Sequence, residues 1–177
     1  MVMLGGLHIE QAALKAIGTW LPVAVDGLKF YHKLRSQQQE ERSRLSTVHT
    51  TRTRYAYQVT AASLFILQKR TYRKYVECVK EGEEADSFST WRSKKETMIP
   101  RFKYWNITLQ FELLILTLVR SFRESSFTLY TEALVGIAAW MFALDRTNYA
   151  RWLPVQIRDM LALQSKQPEI YREFQSG

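Results

Sequence analysis

Residue types that commonly carry out chemistry are sparse in this chain. Its three histidines, His8, His32 and His49, lie far apart, and no cysteine or acidic residue stands beside them at metal-ligand spacing. The single cysteine, Cys78, cannot form an internal disulfide or a zinc cluster, which favours an intracellular, reducing compartment. Gly5-Gly6 lacks the further glycine and the Lys-Ser/Thr pair of a phosphate-binding loop. The sequence therefore predicts no catalytic site, no metal and no cofactor.

Basic residues mixed with aromatic residues give the best candidate site, a nucleic-acid-binding surface on one predicted helix. Side chains four residues apart share a helix face, so the pairs 69/73 and 70/74 could meet successive phosphates. The net charge of +8 agrees with DNA as a partner, although charge alone favours ordinary solubility as its explanation. The alternative interpretation is a solvated face opposite the apolar side of the helix. The candidate residues are Arg52, Arg54, Lys69, Arg70, Arg73 and Lys74.

The elements that must position these residues are predicted to be mainly α-helical. Only seven glycines and four prolines interrupt the 177 residues, and 46% of the residues are hydrophobic. We expect an antiparallel helical bundle with one N-terminal strand–helix unit. The apolar runs at 107–119 and 133–144 fall short of the ~20 apolar residues that span a bilayer, so no membrane association is expected. The pattern predicts a strand at Val2 to Leu4. It also predicts helices from His8 to Leu21, from Val48 to about Lys80, around Trp91 and from Phe102 to Arg123, then one that ends at Leu144, one that begins at Asp145, and one from Pro168 to Phe174.

The periodicity also predicts which side chains face inward and which residues cap the helices. Ser87 or Ser89 is expected to cap the helix that carries Trp91, and Asp145 or Thr147 the helix that follows Leu144. In that later helix we expect an inward face of Tyr149, Trp152 and Leu153, with Arg151 and Arg158 outside. The predicted apolar faces are Leu7, Ala12, Leu14, Ala16 and Ile17 in the first helix, and Val59, Ala62, Leu64, Phe65, Leu67, Tyr72, Tyr75 and Val76 in the long helix.

Three stretches together resemble a family of uncharacterised, transposon-associated proteins of animal genomes. They read GGLHIEQAALKAIG, TRTRYAYQVTAASLFIL and ALDRTNYARWLPVQIRDM. The resemblance covers almost the whole chain except Pro22 to Thr47. Its motif positions are His8, Asp145, Asn148, Tyr149, Arg151 and Trp152.

The resemblance implies an RNase H-like transposase origin. Family members are longer on both sides, with a strand ending in Asp-Gln upstream and a stretch of Asp-Gln-Ala-His-Glu downstream. Those flanks would carry the carboxylates that hold two metal ions for phosphoryl transfer. Residues 1–21 would then be the edge strand and helix of a truncated α/β core, and residues 48–177 a helical insertion-type domain. The expectation is a non-catalytic fragment that retains weak DNA binding in the nucleus. The alternative is a small helical protein–protein interaction module, with the cytoplasm as its location.

Residues 22–47 depart from the pattern of that family. After a Trp-Leu pair, the family continues through Gly-Ser-Gly and Trp to Ala-Glu-Ile-Ala-Thr. Permitted codons for this segment, read two bases further on, encode Ser-Gly-Cys-Gly-Trp-Thr-Glu and then Ala-Glu-Ile-Ala-Thr. We therefore hypothesise that residues 22–47 are read in a shifted frame and pack poorly. Five cations would then not be selected phosphate contacts: Lys29, Lys33, Arg35, Arg42 and Arg44.

Replacing residues 22–47 by a flexible linker tests this hypothesis. Residues read in a shifted frame have not been selected to pack, so the free energy of unfolding should fall by only about 1 kcal/mol or less. Urea denaturation of the full and shortened chains measures the difference. A loss of several kcal/mol would contradict the hypothesis, and so would genomic DNA whose shifted frame lacks Gly-Ser-Gly and Trp.

Overall fold

The computed structural model describes residues 5–21, 46–79 and 83–176, and these residues are mainly α-helical, as predicted. No strand occurs among them; the strand predicted at Val2 to Leu4 lies outside the described residues, as do residues 22–45. None of the described helices is long and apolar enough to cross a bilayer. In chain order the helices are α1 (Gly6–Trp20), α2 (Ser46–Glu77), α3 (Phe88–Met98), α4 (Pro100–Arg123), α5 (Phe127–Ala143), α6 (Thr147–Leu161), α7 (Leu163–Lys166) and α8 (Pro168–Ser176).

Local chemistry sets several of these helix boundaries. The Ser87 hydroxyl accepts the backbone N–H of Thr90 at 3.2 Å, so the predicted cap of α3 is confirmed. Ser126 caps α5 in the same way. Pro100 occupies the start of α4, where its missing N–H costs no helical hydrogen bond.

The predicted cap of α6 is wrong. Arg146 occupies the N-cap position and makes no side-chain cap hydrogen bond there. Asp145 instead adopts a left-handed backbone conformation, with φ of 52°, in the turn between α5 and α6. Aspartate tolerates this conformation better than most residues, so Asp145 shapes the turn and leaves the first turn of α6 uncapped by a side chain.

Helix α4 lies at the centre of the fold, with α1, α2, α3 and α5 packed against it. Its side chains Phe111, Ile115 and Leu118 are almost completely buried. The Phe111 ring stacks on Trp140 of α5, with ring centroids 4.0 Å apart. The core continues into α6 through Leu153. This central position explains why the 107–119 run is nearly continuously apolar without being a membrane span.

Helix α1 docks on this core through small and branched side chains. Ala12, Leu14, Ala16 and Ile17 are buried as predicted, and Ile9 and Ala13 join them. Leu7 is 49% exposed, so its predicted inward position is wrong. The helix begins two residues earlier than predicted, at Gly6, where a Cβ atom would overlap the ring of Phe122.

A second, smaller cluster of aromatic rings joins α2, α3 and α4. Trp91 of α3, 2% exposed, lies at its centre, with ring centroids 5.4 Å from Tyr72 and 5.6 Å from Phe102. Tyr75 and Phe88 complete the cluster, which we call the aromatic corner. These rings fix α3 against the C-terminal half of α2.

Helix α2 buries a different face from the one that its apolar residues predict. Tyr57, Ala61 and Gln68 are buried, whereas Val59 and Leu67 are 49% and 57% exposed. Ala62, Phe65 and Val76 of the predicted face are exposed as well, while Leu64, Tyr72 and Tyr75 are half-buried. The predicted inward stripe of α2 is therefore wrong for most of its members.

The burial pattern of α4 predicts opposite outcomes for two leucines of the same helix. Leu118→Ala should lower the free energy of unfolding by about 2–5 kcal/mol, because Leu118 is fully buried and truncation leaves a cavity. Leu113→Ala, at a site 45% exposed, is the matched control and should cost about 1 kcal/mol or less. Urea denaturation measures both, and equal losses would contradict the central position of α4.

Candidate functional site

Two cations from different helices meet over one aromatic ring. The Lys69 ammonium of α2 lies 3.8 Å from the centroid of the Phe88 ring, and the Arg92 guanidinium of α3 lies 5.9 Å from the same centroid. Lys69 makes no ion pair among the described residues, and Arg92 has only Glu96 of its own helix, at 3.8 Å. The aromatic corner thus holds two positive charges together with no carboxylate bridging them.

Three further predicted cations lie within five residues of Lys69 along α2. Arg70, Arg73 and Lys74 are exposed, and none forms an ion pair within the described part of the chain. Like charges three or four residues apart on a helix repel by a few tenths of a kcal/mol, a cost that a bound anion would remove. We call the set Lys69, Arg70, Arg73, Lys74 and Arg92 the basic corner. Arg92 is the member that sequence reasoning missed, because only the fold brings α3 beside α2.

Arg54 does not belong to this surface. It forms a bidentate ion pair with Glu10 of α1, with Nε–Oε1 and Nη2–Oε2 distances of 2.8 and 2.9 Å. Glu10 is 1% exposed, and removing one partner of such a pair leaves an uncompensated buried charge. Arg54 therefore has a structural role, and its predicted phosphate contact stays a prediction. Arg52 is exposed but lies 17 residues before Lys69, about 26 Å along the helix.

Polar contacts beneath the basic corner fix its helices. The Gln68 side-chain amide donates to Asn106 Oδ1 at 2.8 Å, which joins α2 to α4. Asn106 in turn donates to Glu96 of α3. Just before α3, the Asp86 carboxylate accepts two hydrogen bonds from the Lys94 ammonium, at 2.8 and 2.7 Å. This hydrogen bonding is the main cause of the lowered pKa of Asp86.

The motif residues at the start of α6 contact α1. Tyr149 donates its hydroxyl to the carbonyl oxygen of the exposed His8 at 3.4 Å. Arg146 donates to Thr19 and to the carbonyl of Lys15. Glu10 of α1 also pairs with Arg54 of α2, so α1 contacts both of the other quoted stretches.

The remaining motif residues lie at the surface. Asp145 and Arg151 line an open groove of about 490 Å³ between α5 and α6. Asn148 is exposed. Trp152 is 41% exposed, so its predicted inward position is wrong, whereas Leu153 is fully buried and Arg151 and Arg158 are exposed as predicted.

One carboxyl group is buried in the fold without a partner. Glu112 of α4 is 0% exposed, and neither of its carboxylate oxygens has a hydrogen-bond partner among the described residues. Burial raises the pKa of Glu112 to about 8, so the group keeps its proton at neutral pH. Within the described ranges, no three His, Cys, Asp or Glu side chains are grouped so that they could hold a metal ion.

Glu112→Gln should remove a pH dependence of stability. Between about 4.3, the pKa of an unfolded glutamate, and about 8, the folded state binds a proton that the unfolded state has released. The free energy of unfolding should therefore fall as pH rises, by roughly 3 kcal/mol between pH 5 and 8 relative to the variant. Urea denaturation across this range measures the slope, with Glu132→Gln at an exposed site as the control that keeps it. Parallel curves for wild type and Glu112→Gln would refute a buried, protonated Glu112.

Comparison with known proteins places the chain in a family. Residues 24–177 match the family described as Domain of unknown function (DUF8702). No curated protein and no solved structure matches the chain. The match includes residues 24–47, but it does not test their reading frame, and the shifted frame stays a prediction. Because the match extends over most of its length, the chain belongs to the DUF8702 family.

Proposed function

We propose that this chain is a non-catalytic nucleic-acid-binding fragment of a transposon-derived, RNase H-like protein that acts in the nucleus. The observation that carries the binding proposal is the position of Lys69 and Arg92 beside the same Phe88 ring, with no carboxylate among the described residues bridging them. A polyanion laid across the basic corner would neutralise several cations at once and release their counterions. DNA is the partner that this chemistry fits best.

An exposed aromatic ring beside the basic corner also suits nucleic-acid binding. Phe65, 45% exposed, lies beside Lys69, with the ammonium 5.6 Å from its ring centroid. Exposed aromatic rings next to cations stack on unpaired bases in proteins that bind single strands. The proposal therefore includes single-stranded as well as duplex DNA.

The proposed lack of catalytic activity is supported by the ion pairing and protonation of the buried carboxyl groups. Two-metal phosphoryl transfer needs several carboxylates that face one point. Glu10 is neutralised by Arg54, and Glu112 is isolated and keeps its proton. The transposon-derived, RNase H-like origin, including an edge strand at Val2 to Leu4, rests on the resemblance of the three quoted stretches.

A second function is supported by a surface of α2 that adjoins the basic corner. Apolar side chains of α2 point outward, which is typical of a protein–protein interaction module. A module of this class could act in the cytoplasm as well as in the nucleus.

The salt dependence of DNA binding tests the first proposal. We expect the triple variant Arg70→Gln, Lys74→Gln and Arg92→Gln to bind duplex DNA more weakly. The slope of the log binding constant against log salt should flatten by about 0.9 for each lost phosphate contact. Fluorescence anisotropy with labelled duplex and single-stranded oligonucleotides measures both quantities.

The matched control is the triple variant Arg123→Gln, Arg151→Gln and Lys166→Gln, which removes the same charge from exposed sites elsewhere. It should leave the slope unchanged. Equal slopes for the two triple variants would show that only net charge matters and would reject the basic corner as the contact surface.

A further inference from the structure

The outward face of α2 carries a regular apolar stripe. Tyr55, Val59 and Ile66 are 68%, 49% and 49% exposed, and Ala62 is exposed between them. Their spacing of four, three and four residues is that of the seam along which two helices pack in a coiled coil. We call these four residues the outer stripe. Its length is about 16 Å at the rise of an α-helix.

A cation stands on the same face beyond each end of the outer stripe. Arg52 precedes Tyr55 by three residues, and Arg73 follows Ile66 by seven. Both are exposed, and neither forms an ion pair within the described segments. The two charges lie about 31 Å apart along the helix.

The positions of these charges disfavour pairing of the stripe with a second copy. An antiparallel pair centred on the stripe, between residues 60 and 61, sets Arg52 against Lys69 of the second copy at both ends, and a parallel pair sets each arginine against itself. Like charges placed opposite each other across an interface are unfavourable. A shifted antiparallel register could set Glu77 of one copy against Arg52 of the other. That register would place Arg70 against Val59, so the two apolar stripes would no longer face each other.

We propose that the outer stripe is the docking site for an amphipathic helix of another protein, with a heptad apolar seam and acidic residues at both ends. The seam would cover Val59 and Ile66, and the acidic ends would reach Arg52 and Arg73. This inference specifies the partner of the second function proposed above and does not depend on DNA binding. Charge complementarity at the two ends selects such a partner over a copy of this chain.

Binding of designed peptides to the full chain tests the inference. The probe is a helical peptide of about 24 residues with leucines at the seam and glutamates at both ends; its control carries lysines at the ends. We expect the acidic-ended peptide to bind and the basic-ended peptide to bind at least about tenfold more weakly. Reversing both charges, Arg52→Glu with Arg73→Glu, should reverse this preference. Ile66→Asp should weaken binding by a similar factor, whereas Val135→Asp, at a site 51% exposed on α5, should not.

Several outcomes would overturn the inference. Equal binding of the two peptides would remove the charge argument. A dimer in analytical ultracentrifugation that Ile66→Asp dissociates would assign the stripe to a second copy. Binding to phosphatidylserine vesicles that Ile66→Asp abolishes would assign it to a lipid surface. Stronger peptide binding after deletion of residues 22–45 would assign it to that segment. Failure of the protein to bind DNA in the salt experiment would contradict the first proposed function only, and this inference would be unaffected.

Discussion

The packing of four helices around α4 is the constraint on which the rest of the structure depends. A helix surrounded in this way buries side chains on several of its sides, and Leu109 and Phe111, which point in nearly opposite directions, are both buried. Each neighbour then needs only a narrow face of its own. Helix α1 docks with small and branched side chains, and α3 with one large residue, Trp91. The side chains on the outer sides of these helices do not contribute to the core.

Because α4 is enclosed by its neighbours, its buried polar residues need hydrogen-bond partners on those helices. Asn106 donates to Glu96 and accepts from Gln68, and Thr108 accepts the indole N–H of Trp20 at 3.0 Å. Each satisfied bond fixes one neighbouring helix in register, because a buried polar group without its partner costs free energy. Glu112 is the exception: burial without a hydrogen bond drives it to the neutral form, which is the least costly state that remains.

Features that depend on local residues were predictable, and features that depend on distant partners were not. Ser87 follows a loop and precedes Trp91, so its cap could be inferred from a few residues. The inward face of α2 could not, because apolar residues occur on both sides of that helix. Its orientation is set by Arg54 and Gln68, whose partners lie 44 and 38 residues away along the chain. The same reason hid Arg92 from the predicted site, since its neighbour Lys69 belongs to another helix.

These two polar anchors also bear on how α2 can serve as a binding surface. Arg54 and Gln68 are 14 residues apart, so α2 is fixed to α1 and α4 at two points about 21 Å from each other. The outward side chains between and beyond these points are therefore held on a rigid helix before any partner arrives. Binding that needs no ordering of the receptor loses less conformational entropy, so modest contacts can suffice. The Glu10–Arg54 ion pair would thus support the proposed binding by holding α2 in place, whether or not Arg54 itself contacts a ligand.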